Sequence, residues 1–397
     1  MGNVGIYIQV PFCQTKCTYC NFHTGVVSPG RFAPYVAAVC REIANHRQLL
    51  ESEGVTVSVA TGSPAESVDT VYIGGGTPSL LEPELLAGIL QALRSNFDCS
   101  FREVTMEADP ETIDAEKAAQ WAAAGFNRIS FGTQSFVDEE LKAAGRMHRR
   151  EDIYRAVPVL RAAGIRNISF DLIAGLPKQT HASWQQSLAE AIGLFPEHIS
   201  IYMMEIDEGS HLGLEVLQSG SRYSAREIPS EETMAEFYEL AQAELKSAGY
   251  VQYEISNWAK PGYESRHNLK YWRREPYLGF GAGAHSFSRT QRWANRHDAA
   301  AYVAAISEGK SAIESVDTLT PALALEEEFF LGLRQLSGID LGRIERDYGV
   351  SLREKVWQLA SRGMVETHGD NLRLPANKLS VSSEIIVELL RSLQVTA

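Results

Sequence analysis

No uninterrupted apolar run in this 397-residue chain approaches the roughly twenty residues a helix needs to cross a bilayer. The N-terminus has no basic stretch leading into a signal-like apolar core, so export by that route is not expected. Cysteine is scarce: there are 5, and Cys40 and Cys99 stand far from the other three. A set so small and scattered offers no disulfide framework and fits a reducing, cytoplasmic setting. Positive charge is in deficit, since 37 Lys and Arg against 50 Asp and Glu leave a formal net charge of -13. That balance argues against a nucleic-acid partner and against attraction to anionic membranes, while leaving room for a peripheral encounter with membrane-bound partners. The length accommodates a barrel-sized core and one or two smaller modules.

What is present is concentrated near the start. Cys13, Cys17 and Cys20 lie in VPFCQTKCTYCNF, spaced C-x3-C-x2-C. Three thiolates so placed can hold three corners of a [4Fe-4S] cluster and leave the fourth iron open to a small molecule. A zinc site, which uses four ligands when closed, and three unrelated buried cysteines are the alternatives. The motif follows Val4, Ile6, Ile8 and Val10, whose alternation predicts a strand. The cysteines then fall on a loop at a strand's C-terminal end, where parallel α/β barrels place their chemistry.

Strand-like runs recur at DTVYIGGG, REVTMEAD, NRISFGTQ, RNISFDLIAG and HISIYMMEID, and helical patterns follow at 31–50, 83–95, 114–124, 151–163, 182–194 and 231–248. Six alternating pairs predict an α/β fold with a parallel sheet, a (β/α)6 partial barrel closed by right-handed crossovers. Thr61 to Pro64 reads as a surface loop. Several strands end in residues that chemistry can use: Gly74 to Thr77, then Glu107 and Asp109, Gln134, and Asp171. Singly each could be a turn or a cap, as Asp114 is expected to be. Together they put a glycine platform, carboxylates and an amide on one rim beside the cysteine loop.

From about Pro321 the pattern becomes helix, helix, helix and a short hairpin, punctuated by Gly338, Gly349 and Gly363. This predicts a winged-helix-like module. With acidic Glu326 to Glu328 and no basic footprint, a lid or partner-docking role is expected of it. The expected domains are 1–240 for the barrel, 241–315 as a connecting segment and 316–397 for the C-terminal module.

IYIQVPFCQTKCTYCNF, YIGGGTPS, MEADPET, RISFGTQSF, DLIAGLPKQT, EISNWAKPGYESRHNLKYW and GFGAGAHS, in this order, resemble the radical S-adenosylmethionine (SAM) superfamily. Within it they are most similar to the oxygen-independent coproporphyrinogen oxidase family and its HemW-type heme chaperones. The resemblance implies that Cys13, Cys17 and Cys20 ligate the cluster and that S-adenosyl-L-methionine chelates the open iron. It places Gly75, Gly76, Thr77 and Glu107 near the methionyl amine and Gln134 and Asp171 on the ribose hydroxyls. Arg146, twelve residues past Gln134, is implied to pair with the SAM carboxylate, and Tyr7, Tyr19 and Ile173 to line the methionyl and adenine pockets. In the superfamily one electron from the reduced cluster gives methionine and a 5′-deoxyadenosyl radical.

Two departures separate the oxidase from the chaperone. The oxidase usually has a further cysteine two residues after the third ligand, where this chain has Phe22, and it commonly has an N-terminal extension ahead of the cluster, for which the first strand leaves no room. Both point to a heme carrier that delivers to acceptor hemoproteins, with a radical enzyme acting on a tetrapyrrole as the alternative. His267, in the HN-x-x-YW segment HNLKYW, resembles the chaperones' heme-binding signature and is the expected iron ligand; otherwise the segment packs the C-terminal module onto the barrel with His267 merely hydrogen-bonded. His285 is a second candidate, and Arg266, Lys270 and Arg273 could meet propionates or be solvated charges. The resemblance also suggests that cluster assembly accompanies formation of a homodimer.

Overall fold

The computed structural model describes residues 4–55 and 67–392, so the Thr61 to Pro64 stretch lies outside the described residues. Six parallel strands form its centre: β1 (Val4–Val10), β2 (Ser67–Gly75), β3 (Asp98–Ala108), β4 (Arg128–Gln134), β5 (Asn167–Ala174) and β6 (His198–Met203). They lie side by side in chain order, each parallel to the next. In β1 the alternation has the expected result: Val4, Ile6, Ile8 and Val10 are buried while Tyr7 and Gln9 are only partly so. Helices Phe32–Ser52, Pro83–Asn96, Ala115–Ala124, Arg150–Ala162, His181–Gly193 and Glu231–Ser247 follow the strands in turn. Their ends fall within about two residues of expectation because they carry local signals. Asp114, for example, is an N-cap whose side chain accepts from Lys117 N, and Gly125 closes that helix at a left-handed φ of 110°.

The expected 241–315 connecting segment does more than connect. Its first boundary cuts the helix Glu231–Ser247, and the segment supplies strands to both edges of the sheet. Tyr277–Phe280 pairs parallel to β1 and is extended by antiparallel strands His285–Phe287, Gln291–Asn295 and Ile313–Thr318. At the other edge Asn257–Ala259 pairs antiparallel to β6 and Val251–Glu254 lies beyond it. The partial barrel is thereby embedded in a sheet of twelve strands. Both edges of a six-stranded sheet would otherwise present unpaired backbone groups.

One buried carboxylate anchors this extension. Glu42, on the helix Phe32–Ser52, accepts from Gly281 N at 2.9 Å and Asn295 Nδ2 at 2.7 Å, and from the Tyr302 hydroxyl. Tyr35, two turns earlier on the same face, donates to Gln9 O and accepts from Ala282 N. The turn 281–284 is thus clamped against β1 at the strand's C-terminal end.

The C-terminal helices Pro321–Gly332, Leu341–Tyr348 and Arg353–Ser361 and the hairpin Glu366–His368/Asn371–Arg373 appear in the expected order. A third strand, Ile339–Asp340, completes the small sheet, and a further helix, Ser382–Ser392, follows. Glu327 and Glu328 are not a solvated acidic run: they hold Arg274 at 3.0 and 3.1 Å, and Glu327 also holds Arg292 at 2.9 Å. Two carboxylates of the module therefore grip two arginines of the sheet extension. Arg274 is itself buried, so the pairing is partly shielded from solvent screening.

Candidate functional site

The cysteine loop lies at the C-terminal mouth of the strands. Cys13 ends a two-residue strand that pairs with Gly25–Val26, and Cys17 and Cys20 follow in a turn closed by Cys20 N donating to Cys17 O. All three are free and partly accessible. The loop is pinned from two sides: Thr18 N donates to Ala144 O, and Leu212 N donates to Thr18 O. Burial pushes the Cys13 and Cys20 thiols up, so as free side chains they stay protonated near neutrality. Iron at the site would reverse that preference. Among the described residues no three His, Cys, Asp or Glu side chains are gathered about the position of a single metal ion. The thiols fit a donor set in which each takes a different iron better than they fit one zinc.

The glycine segment runs directly beneath. Gly76 N donates to Val10 O and Thr77 N to Phe12 O, lacing the end of β2 to the chain entering the loop. A Cβ on Gly76 would stand 2.3 Å from Phe12 O and 3.0 Å from Cys13 Sγ, so only glycine fits this approach. Glu107 accepts from Gly75 N and from the Tyr72 hydroxyl, each at 2.9 Å. Burial, only partly offset by these bonds, raises its carboxyl to about 7. Tyr7, whose ring stacks near Tyr72, donates to Gln9.

Arg146 occupies the centre of the rim. It donates to Asp109, to Gly132 O at 2.8 Å and, through Nη1, to Cys17 Sγ at 3.5 Å, while its buried Nε has no partner among the described residues. Its carboxylate partner among the described residues is Asp109. Gln134 ends β4 at φ 63°, a left-handed conformation costing a non-glycine residue about 1 kcal/mol, and its amide has no partner among the described residues. Asp171 accepts from Ser130 at 3.0 Å, and burial raises its carboxyl. Ile173 belongs to a small apolar cluster with Ala144, Leu176, Met204, Leu212 and Met234, against which Tyr19 packs. An unpartnered amide, an unpartnered guanidinium nitrogen and three free thiols around a glycine cradle fit a cluster with a polar, adenosyl-bearing ligand.

His267 lies inside the fold. It is 0% exposed, its Nδ1 meets Thr70 Oγ1 at 3.1 Å, and its Nε2 meets the Tyr271 hydroxyl at 2.8 Å. Neither nitrogen has a lone pair facing solvent. The helix that carries it, Arg266–Trp272, is seated on Glu103, which accepts from the backbone N–H groups of Arg266 and His267. Thr70 lies five residues before Gly75 along β2, about 16 Å from the mouth at 3.3 Å per residue. The ring faces Tyr72 at 5.4 Å, so the motif supports the glycine segment through Tyr72 and Glu107. Trp272 lies under the Arg334 guanidinium of the C-terminal module. Lys270 is not a free propionate partner, being paired with Asp69 and Glu275.

Burial and Lys270 pull the His267 imidazole down to about 3. Below the ordinary histidine value of about 6.5 the unfolded chain takes up a proton that the folded chain refuses, so stability is lost as pH falls from there toward 3. This one group contributes a slope of about 1.4 kcal/mol per pH unit. His267→Gln is expected to remove that slope between pH 4.5 and 6 in urea unfolding curves; an unchanged pH dependence would show that the folded imidazole accepts a proton.

The roles of Tyr72 and Gln9, and the pairing of Asp109 with Arg146, are not expected from the residues alone. Strand alternation is the available signal, because Tyr72 and Gly74, like Glu107 and Asp109, share a face at period two.

The chain matches the Radical SAM superfamily over residues 7–191 and the HemN C-terminal domain over residues 319–377. It is 36% identical over 350 residues to the heme chaperone HemW of Bacillus subtilis, covering 87% of each chain. With HemW of Mycobacterium tuberculosis it shares 32% over 387 residues, 97% of this chain and 94% of that one. The solved structure of the coproporphyrinogen III oxidase HemN from Escherichia coli superposes with a TM-score of 0.81 at 22% identity, covering 98% of this chain and 90% of that one. At that identity the likeness speaks for the fold.

Proposed function

The chain belongs to the HemW-type heme chaperone family of the radical SAM superfamily, and from that premise we propose that it binds heme and delivers it to acceptor hemoproteins. It carries a [4Fe-4S] cluster and SAM, which together supply one-electron chemistry when bound. Cys13, Cys17 and Cys20 would hold three irons. Gly75, Gly76 and Thr77 let the backbone approach the methionyl end, and Glu107 keeps that backbone in place through Gly75 N. Arg146 would exchange Asp109 for the SAM carboxylate, a fork-like charge-assisted pairing. Gln134 and Asp171 are suited to ribose hydroxyls, and Ile173 with Tyr19 to the apolar side of adenine.

Phe22 carries the choice between carrier and oxidase. It stands where the decarboxylating enzymes have a further cysteine, and a phenyl ring can neither donate a proton nor ligate iron. Anaerobic titration of reconstituted protein with heme tests the reading: stoichiometric binding followed by transfer to an apo-hemoprotein is expected. Conversion of coproporphyrinogen propionates to vinyl groups under reducing conditions would instead establish the enzyme.

Arg146→Ala is expected to weaken SAM binding about ten- to a hundredfold, the worth of a lost charged hydrogen bond, with cluster content unchanged. Equilibrium dialysis with labelled SAM measures it, and an unaltered affinity would remove Arg146 from the site. Among the described residues no helix is long and apolar enough to cross a membrane. Acceptors at a membrane surface, a cytoplasmic setting and a homodimer that forms with the cluster complete the proposal; equal anaerobic elution of apo and reconstituted protein would contradict the last.

A further inference from the structure

Two side-chain pairs run side by side at the rim. Asp109 and Glu111 come from the turn after β3, and Arg146 and His148 from the stretch between the helices Asp138–Ala143 and Arg150–Ala162. Asp109 meets Arg146, and Glu111 Oε2 faces His148 Nδ1 at 3.9 Å. The two basic residues are also tied to consecutive carbonyls near the end of β4: Arg146 Nη2 donates to Gly132 O at 2.8 Å, and His148 Nε2 donates to Thr133 O at 3.1 Å. Met147, between them, is 51% exposed, so the chain here alternates inward, outward and inward.

The outer pair has no counterpart in the SAM contacts described above. A carbonyl only accepts, so Nε2 carries the ring proton of His148 and Nδ1 presents a bare lone pair. Glu111 Oε2 and His148 Nδ1 are both buried, and neither has a hydrogen-bond partner among the described residues. Burial and Arg146 pull the imidazole down to about 4, while burial and Asp109 raise the Glu111 carboxyl to about 7. At 3.9 Å they stand as two acceptors just beyond hydrogen-bond reach; a proton on Glu111 makes them donor and acceptor without placing a further charge beside Arg146.

We propose that His148 and Glu111 are positioning residues for Arg146, holding its chain against the end of β4 while its side chain exchanges Asp109 for the SAM carboxylate. This rests on the SAM site proposed above. Release of Asp109 frees a long side chain with many rotamers, so a fork aimed at the incoming carboxylate has to be held from behind. Gly132 O holds the guanidinium itself, and Thr133 O, through His148, holds the chain two residues on. A protonated Glu111 supports His148 without setting a second carboxylate against that of SAM.

The test is a double-mutant cycle on full-length, cluster-reconstituted protein. It is read by equilibrium dialysis with labelled SAM and by the change that SAM makes in the EPR spectrum of the reduced cluster. His148→Ala and Glu111→Ala are each expected to weaken SAM binding at least fivefold with iron content unchanged. Glu111→Gln, whose amide donates as a protonated acid does, is expected to recover most of that loss. Added to Arg146→Ala, His148→Ala should deepen the loss by less than twofold, because its effect passes through that side chain. If circular dichroism shows His148→Ala unfolded, Glu111→Ala takes its place in the cycle. The assignment falls if both alanine variants bind SAM as the parent does, if the losses multiply with that of Arg146→Ala, or if Glu111→Gln binds as poorly as Glu111→Ala. If Arg146→Ala itself binds SAM as the parent does, the SAM role of Arg146 falls first and this inference with it.

Discussion

Cys17→Ala is expected to leave the protein folded and without its cluster. After anaerobic reconstitution the parent should hold about four irons per chain and show the brown thiolate-to-iron absorption, and the variant should show neither. The size of the effect follows from the geometry. Cys17 lies at the middle of a loop pinned through Thr18, so no neighbouring thiol can move into its place. Its side chain is only partly buried and the hydrogen bond it makes among the described residues is the 3.5 Å approach of Arg146, so the apoprotein should lose no more than about 0.5 kcal/mol. Iron analysis beside a thermal melt separates the two quantities. Retention of a full iron complement would defeat the ligand assignment.

His267→Ala should have the opposite character, a large loss of stability with the cluster site chemically intact. The ring fills the space beside Gly5, where a Cβ would already stand 3.3 Å from His267 Cε1, so removing it opens a cavity and strips partners from Thr70 and Tyr271. Cavity and lost hydrogen bonds together should cost about 3–5 kcal/mol. His297→Ala, at an exposed and unbonded ring, should cost no more than about 0.5 kcal/mol. Denaturant unfolding of the two variants beside the parent measures the contrast. Equal, small losses would mean that the imidazole of His267 is far less enclosed than its two hydrogen bonds imply.

The barrel was legible because its signals are local. Val4, Ile6, Ile8 and Val10 declare a buried strand face within seven residues, and the Asp114 cap and Gly125 stop mark a helix within twelve. The cysteine loop, the glycine segment and the carboxylates at strand ends were legible for a related reason. In a parallel sheet every C-terminal end faces the same way, so residues at those ends converge whatever the details between them. Arg146 does lie at the rim, but nothing in the sequence announces its engagement by Asp109, because a side-chain pairing across 37 residues leaves no periodic trace.

Sequence by itself determined the six strand–helix units, the position of the cluster loop and the helix–hairpin order of the C-terminal module, since each depends on spacing within a few turns of chain. Tertiary structure alone decided that residues 251–318 extend both edges of the sheet, that Glu327 and Glu328 bind arginines rather than water, and which histidines keep a free nitrogen. His267 and His297 look alike as residues. One is enclosed by Thr70, Tyr72 and Tyr271 while the other stands exposed against His23, and contacts between positions so distant in the chain arise only when the sheet has closed around them.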